Sequence, residues 1–188
     1  MAELGKISKI KNRIWVFRIL GLVPIGLMIL SFSQRWWTCD IQQYGLNCVS
    51  VRPYGLVHNL GNFIMYVDEL LPPKWLTYAA FIFILVAVAA LIYSLFAKLS
   101  VGKLIMRGVG GAYIGYIAIV TIYALVSFEK IGINPVGYRF LEAGEFVPFE
   151  TGVIGRILPG YYIALVAALL CVALASFRER LTGEERMC

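Results

Sequence analysis

The sequence predicts an all-α membrane protein: a four-transmembrane-helix bundle with a small, disulfide-tied β-hairpin or sheet cap on its outer side. Three observations lead there. Of 188 residues, 60% are hydrophobic and only 15% charged, and the mean hydropathy is +0.79; soluble domains run at roughly half apolar and a quarter charged. Four runs, at 14–33, 75–97, 108–128 and 157–177, meet the roughly 20 apolar residues needed to cross a hydrocarbon core. One stretch, from Arg35 to Val51, breaks the monotony with paired tryptophans, two cysteines and strand-like alternation.

The whole chain reads as a single integral membrane domain, 1–188, with its longest connections at 34–74 and 129–156. These follow the first and third spans, so they lie on one side and can form a common cap. Basic residues near spans are retained on the cytoplasmic side. Both termini, the turn after span two and Arg18 together hold eleven basic and four acidic residues, a net +7. The two long loops hold six basic and seven acidic residues, a net −1. Cytoplasmic termini and outer loops follow, in a plasma or cytoplasmic membrane. Overall the chain carries +6, but the basic residues flank apolar runs instead of sharing a soluble face, so the bilayer and not nucleic acid is the expected partner.

Before the first span, Leu4, Ile7, Ile10 and Ile14 recur at helical spacing among Lys6, Lys9, Lys11 and Arg13, as in a helix lying on anionic headgroups. The run that follows is longer than a signal-peptide core, which favours an uncleaved anchor. Arg18, one turn inside, is expected to snorkel to the interface, and Pro24 to kink the helix. Trp15, Trp36, Trp37 and Trp75 fall at span ends, where indole rings prefer the headgroup layer.

In the first loop, residues 38–41 and 46–51 pair as a hairpin around Gln43-Tyr44-Gly45. An amphipathic helix is expected over 56–71, ended by Pro72-Pro73, with His58 near its start. A metal site there is poorly supported, since Asp68 and Glu69 stand almost three turns away. In the second loop, alternation around Tyr138-Arg139-Phe140 and Phe146-Val147-Pro148-Phe149 predicts one short strand able to extend that sheet. Trp36, Trp37, Tyr44, Tyr138, Phe140, Phe146 and Phe149 are the candidates for contacts made by the cap. The tail from Arg178 to Cys188 reads as a fraying helical extension.

Spans two to four each carry small residues at helical spacing. In span three these are Gly108, Gly111 and Gly115; in span four, Gly160, Ala164 and Ala168. Such stripes let helix backbones approach closely where lipid removes the hydrophobic driving force. They fit packing inside the bundle or association with another subunit, so a homo-oligomer or a larger membrane-protein complex is expected. Tyr113, Tyr116 and Tyr123 fall on the opposite side of span three.

Cys39 and Cys48 share the outer loop with eight residues between them, while Cys171 lies in span four and Cys188 ends the tail. The first two are placed for a bridge in an oxidising compartment. Closing so small a loop contributes on the order of 2 to 3 kcal/mol. A redox-active pair is the competing reading, although such pairs generally use tighter spacing or an electropositive setting. The remaining inventory is thin: no phosphate loop, no zinc motif, no nucleophile elbow and a single histidine. No cofactor, metal site or catalytic residue is expected. Spans two to four lack Asp, Glu, Lys, Arg and His, which argues against an ion-coupled transporter.

Four spans, cytoplasmic termini, a long first outer loop and Trp37-x-Cys39-x8-Cys48 together resemble the claudin and peripheral-myelin-protein tetraspan superfamily. That family carries Gly-Leu-Trp-x-x-Cys-x(8–10)-Cys in its first outer loop; here Gly-Leu is absent and the Trp-to-Cys spacing is one residue shorter. The resemblance implies a disulfide-tied hairpin above a left-handed bundle and a non-enzymatic role in adhesion, barrier formation or membrane organisation. The alternatives from other classes are an accessory subunit of a respiratory or transport complex and a thiol–disulfide exchange protein.

Overall fold

Among the described residues, four helices and five strands follow one another in the order α1 (Ala2–Ser33), β1 (Trp37–Ile41), β2 (Leu46–Arg52), β3 (Gly55–His58), α2 (Lys74–Phe96), α3 (Leu99–Lys130), β4 (Gly137–Leu141), β5 (Thr151–Ile157) and α4 (Pro159–Thr182). They come from a computed structural model that describes residues 2–41, 46–58, 74–130, 134–141 and 150–183. Each helix is long and apolar enough to cross a membrane, and their outward faces carry Leu, Ile and Val side chains suited to lipid.

The helices form a ring in which α1 packs on α2 and α4, and α3 packs on α2 and α4. Each buries one stripe. That of α4 runs Gly160, Ala164, Ala168, Cys171, Ala175, Arg178 and Thr182, a 3–4 spacing that keeps one face inward. Ala164, Ala168, Cys171 and Ala175 are fully buried, so small side chains bring the α4 backbone close to its neighbours. The inward face of α3 is Gly102, Met106, Gly110, Tyr113 and Ile117. A Cβ on Gly110 would stand 2.8 Å from Val172, 3.1 Å from Cys171 and 3.2 Å from the Ala168 carbonyl.

Gly108, Gly111 and Gly115 lie elsewhere: all three are exposed, and a Cβ on any of them would meet nothing within 4 Å. Gly110 is two residues from Gly108, about 200° around the helix, so the expected stripe and the packing stripe occupy different faces.

All five strands pair antiparallel in one sheet of order β3-β2-β1-β5-β4. Both long loops thus contribute to one sheet, and the first-loop hairpin is its core. Two details depart from expectation. The second loop supplies two strands instead of one. Residues Leu56 to His58 belong to β3 rather than to a helix, because Gly55 at φ 152° turns the chain back on β2. The helix expected over the rest of 56–71 falls outside the described residues, as do Tyr44, Phe146, Phe149 and Cys188.

Span boundaries shift for local reasons. Helix α3 starts nine residues before the expected 108 because only Ala97 and Lys98 separate it from α2. The cationic N-terminal segment and the first span form one continuous helix through Pro24. Helix α4 begins at Pro159, a residue suited to a first turn whose N–H groups lack helical partners.

Candidate functional site

The sheet stands directly on the ends of α1 and α4, and two adjacent tryptophans fix it there. Trp36 is 2% exposed. Its backbone N–H donates to the Val51 carbonyl and its carbonyl accepts from Leu158, both at 2.8 Å. Its indole N–H reaches the Ser31 carbonyl and hydroxyl, each at 3.1 Å. The Ser31 hydroxyl donates in turn to the Gly160 carbonyl at 2.8 Å. Tyr116 and Tyr161 meet the Trp36 ring edge-on, at 6.3 and 5.8 Å between centroids. Gly160 admits this joint, since a Cβ there would lie 2.6 Å from the Arg35 carbonyl.

Trp37, 5% exposed, points to the other side of the joint. It stacks on Phe128 of α3 with centroids 3.8 Å apart, and its indole N–H donates to the Pro135 carbonyl. A Cβ on Gly155 would overlap the Asn134 and Pro135 carbonyls, so this glycine lets the chain leaving α3 pass beneath β5. Trp36 and Trp37 are therefore internal, correcting their assignment both to the headgroup layer and to the contact surface: their N–H groups are satisfied by protein and their rings are covered. Trp15 and Trp75, 54% and 64% exposed, do face outward, near the starts of the apolar stretches Asn12–Ser33 and Lys74–Phe96.

Strand alternation separates two faces. Trp37, Cys39, Val51 and Val153 share the bundle-facing side and are buried. Thr38, Asp40, Ser50, Ile154, Arg156, Tyr138 and Phe140 share the other. At the β4 end this face is open: Val136, Tyr138 and Phe140 are 60%, 54% and 52% exposed, and Arg139, on the opposite face of β4, is exposed as well. The Tyr138 ring lies across Gly152 on β5, 2.7 Å from where a Cβ would stand. An aromatic ring laid over a glycine in this way is held in place while its upper surface stays accessible.

Cys39 is fully buried in β1. It pairs with Val49 while Asp40 pairs with Asn47, so Cys48 is the extra residue of a β-bulge diagonal to Cys39. Cys171, buried on α4, lies among small side chains of the bundle.

At the opposite end, two arginines cap α2. Arg178, 3% exposed, donates to the Ser94 and Ala97 carbonyls, each at 2.9 Å. Its guanidinium lies 5.2 Å from the centre of the Phe17 ring. Arg18 donates to the Leu95 carbonyl at 3.3 Å, with Phe96 and Trp15 beside it. The last carbonyls of a helix lack helical donors and carry its negative pole, so the two cations replace what the tight α2–α3 turn leaves unpaired. Gly102 makes room, because a Cβ there would coincide with the Arg178 guanidinium. Lys103 and Glu179 form an ion pair alongside. Arg178 thus belongs to the core rather than to a fraying tail, and Arg18 is held by protein rather than by headgroups. The signal lay in the sequence: Arg178 and Thr182 continue the α4 stripe at the same spacing.

Among the described residues no group of three or more His, Cys, Asp or Glu side chains could hold a metal ion. No family model and no curated protein matches the chain.

Proposed function

We propose that the protein is a non-enzymatic, claudin-like membrane scaffold whose outer cap meets a partner through strand β4, the partner being a second copy in its own or an opposing membrane. The observation that carries this reading is the contrast between a cap locked to the bundle by Trp36 and Trp37 and an exposed aromatic strand at its edge. Tyr138 and Phe140 expose aromatic surface on one face, Arg139 extends from the other, and neither face of β4 needs to reorganise to make contact. Edge strands with such side chains readily accept another chain. The excess of basic residues at the turn end supports an outward-facing cap. An oxidising environment there favours a Cys39–Cys48 bridge across the bulge, which would stiffen the central hairpin. Full burial of Cys39 disfavours the exchange reading, since a redox-active thiol must be reachable.

A second reading, an accessory subunit of a larger membrane complex, draws on the exposed Gly108, Gly111 and Gly115 face of α3, which another helix could approach closely. Purification in gentle detergent separates the two. A homo-oligomer lost on Tyr138→Ser with Phe140→Ser supports the cap. Stoichiometric recovery with a different protein, unaffected by those changes but broken by Gly111→Leu, supports the accessory subunit.

A further inference from the structure

Beneath the β2–β3 turn, the sheet-proximal halves of α2 and α3 leave a cavity of about 110 Å³ between them. Leu76 and Ala80 of α2 and Tyr116, Val120 and Ala124 of α3 line it. It adjoins a second space of about 90 Å³ under Trp37, with Val51, Val120 and Ala124 common to both. From Tyr116 to Ala124 the groove follows α3 for about 12 Å at 1.5 Å per residue. Ile119 and Tyr123, 67% and 37% exposed, stand on the same wall, so the groove opens sideways, where a membrane-embedded bundle meets lipid. Apolar cavities of this size stay dry and take apolar ligands.

One wall is different in character. Arg52 also lines the groove. It is half-buried, with one terminal nitrogen donating to the Tyr54 hydroxyl and the guanidinium 5.8 Å from the centre of the Tyr54 ring. Its Nε–H is buried without a hydrogen-bond partner, and no carboxylate pairs with it among the described residues. Tyr54 is fixed in turn by Phe32 and Phe81, at 5.5 and 5.1 Å between centroids, and its carbonyl accepts from Thr77 at 3.0 Å. The cation is thus held on the wall of an apolar groove with no counter-charge among the described residues. A partly desolvated cation in that position is unfavourable until an anion meets it.

We propose that this groove binds one anionic phospholipid, with its phosphate on Arg52 and one acyl chain lying along α3 between Tyr116 and Ala124. The proposal needs only membrane insertion and is independent of what the cap contacts.

The test uses the intact chain in mild detergent, with native mass spectrometry after adding phosphatidylglycerol or a diacylglycerol with the same chains. Phosphatidylglycerol should be retained about tenfold more strongly, the effect of one charge-assisted hydrogen bond. Arg52→Gln should erase that preference and Arg52→Lys restore most of it. Ala124→Phe, which fills the groove, should weaken both lipids. Unchanged phosphatidylglycerol retention in Arg52→Gln would overturn the proposal, as would full retention in Ala124→Phe if Arg52→Gln does not fold. Displacement of the lipid by inorganic phosphate alone would overturn the acyl-chain half by reducing the site to an anion site.

Discussion

Replacing Trp36 with alanine should separate the two classes of tryptophan in this chain. Trp36 has no appreciable exposure, both indole hydrogen-bond acceptors lie on Ser31, and two tyrosine rings meet it edge-on. Truncating a buried tryptophan costs about 3 to 5 kcal/mol, and the aromatic pairs add to that cost. For a chain of this size 1 kcal/mol moves the melting temperature by about 2 to 4 °C, so a fall of about 6 to 20 °C is expected. Trp75→Ala, at a ring 64% exposed, should change it by no more than a surface substitution does, about 0.5 kcal/mol. Thermal unfolding of both variants in one detergent, followed by intrinsic fluorescence and by loss of monodisperse protein, makes the comparison. Equal shifts for Trp36→Ala and Trp75→Ala would refute the argument that Trp36 joins sheet to bundle.

Arg178→Met should destabilise by about 3 kcal/mol, because two charge-assisted hydrogen bonds at roughly 1.5 kcal/mol each are lost; Arg178→Lys should recover part of this, and thermal unfolding reads both. Gly110→Ala should cost about 1 to 3 kcal/mol through overpacking against Ala168, Cys171 and Val172, whereas Gly111→Ala, facing outward, should leave the fold's stability unchanged or slightly raised. Peptide mapping without reductant should recover Cys39 and Cys48 in one linked species; recovery of both as alkylated thiols from freshly isolated, thiol-blocked membranes would remove the bridge from the account.

The spans were legible because about 20 apolar residues can serve few other purposes in a chain with so little charge. The first-loop hairpin was legible because alternation over 38–41 and 46–51 is the signature of strands, and its register needed only the short connection between them. Strand β5 was not, since Thr151-Gly152-Val153-Ile154-Gly155-Arg156-Ile157 has two glycines that weaken the pattern; both are there to admit other groups, Tyr138 over Gly152 and the Asn134-Pro135 backbone against Gly155. The glycines of α3 fall on two helical faces. Gly108, Gly111 and Gly115 keep helical spacing as faithfully as Gly102, Met106 and Gly110 do, and spacing alone does not say which stripe faces inward.

The tryptophans teach a related lesson. Belt position explains Trp15 and Trp75, yet Trp36 and Trp37 occupy the same level of the chain for a different purpose, and only their neighbours distinguish the cases. The arginine caps of α2 leave no trace in hydropathy, because the buried stripe of α4 continues past its apolar run to Arg178 and Thr182. Tertiary partners, rather than local composition, decide where a buried stripe stops.

The most direct measurement places a photoreactive amino acid at position 138, on the exposed edge strand, and at position 78, an exposed tyrosine on α2, and irradiates native membranes. A rigid cap that meets a partner through β4 predicts a discrete protein adduct of twice the chain's mass from position 138 and none from position 78. The absence of any protein adduct from position 138, with the chain folded and inserted, would contradict it.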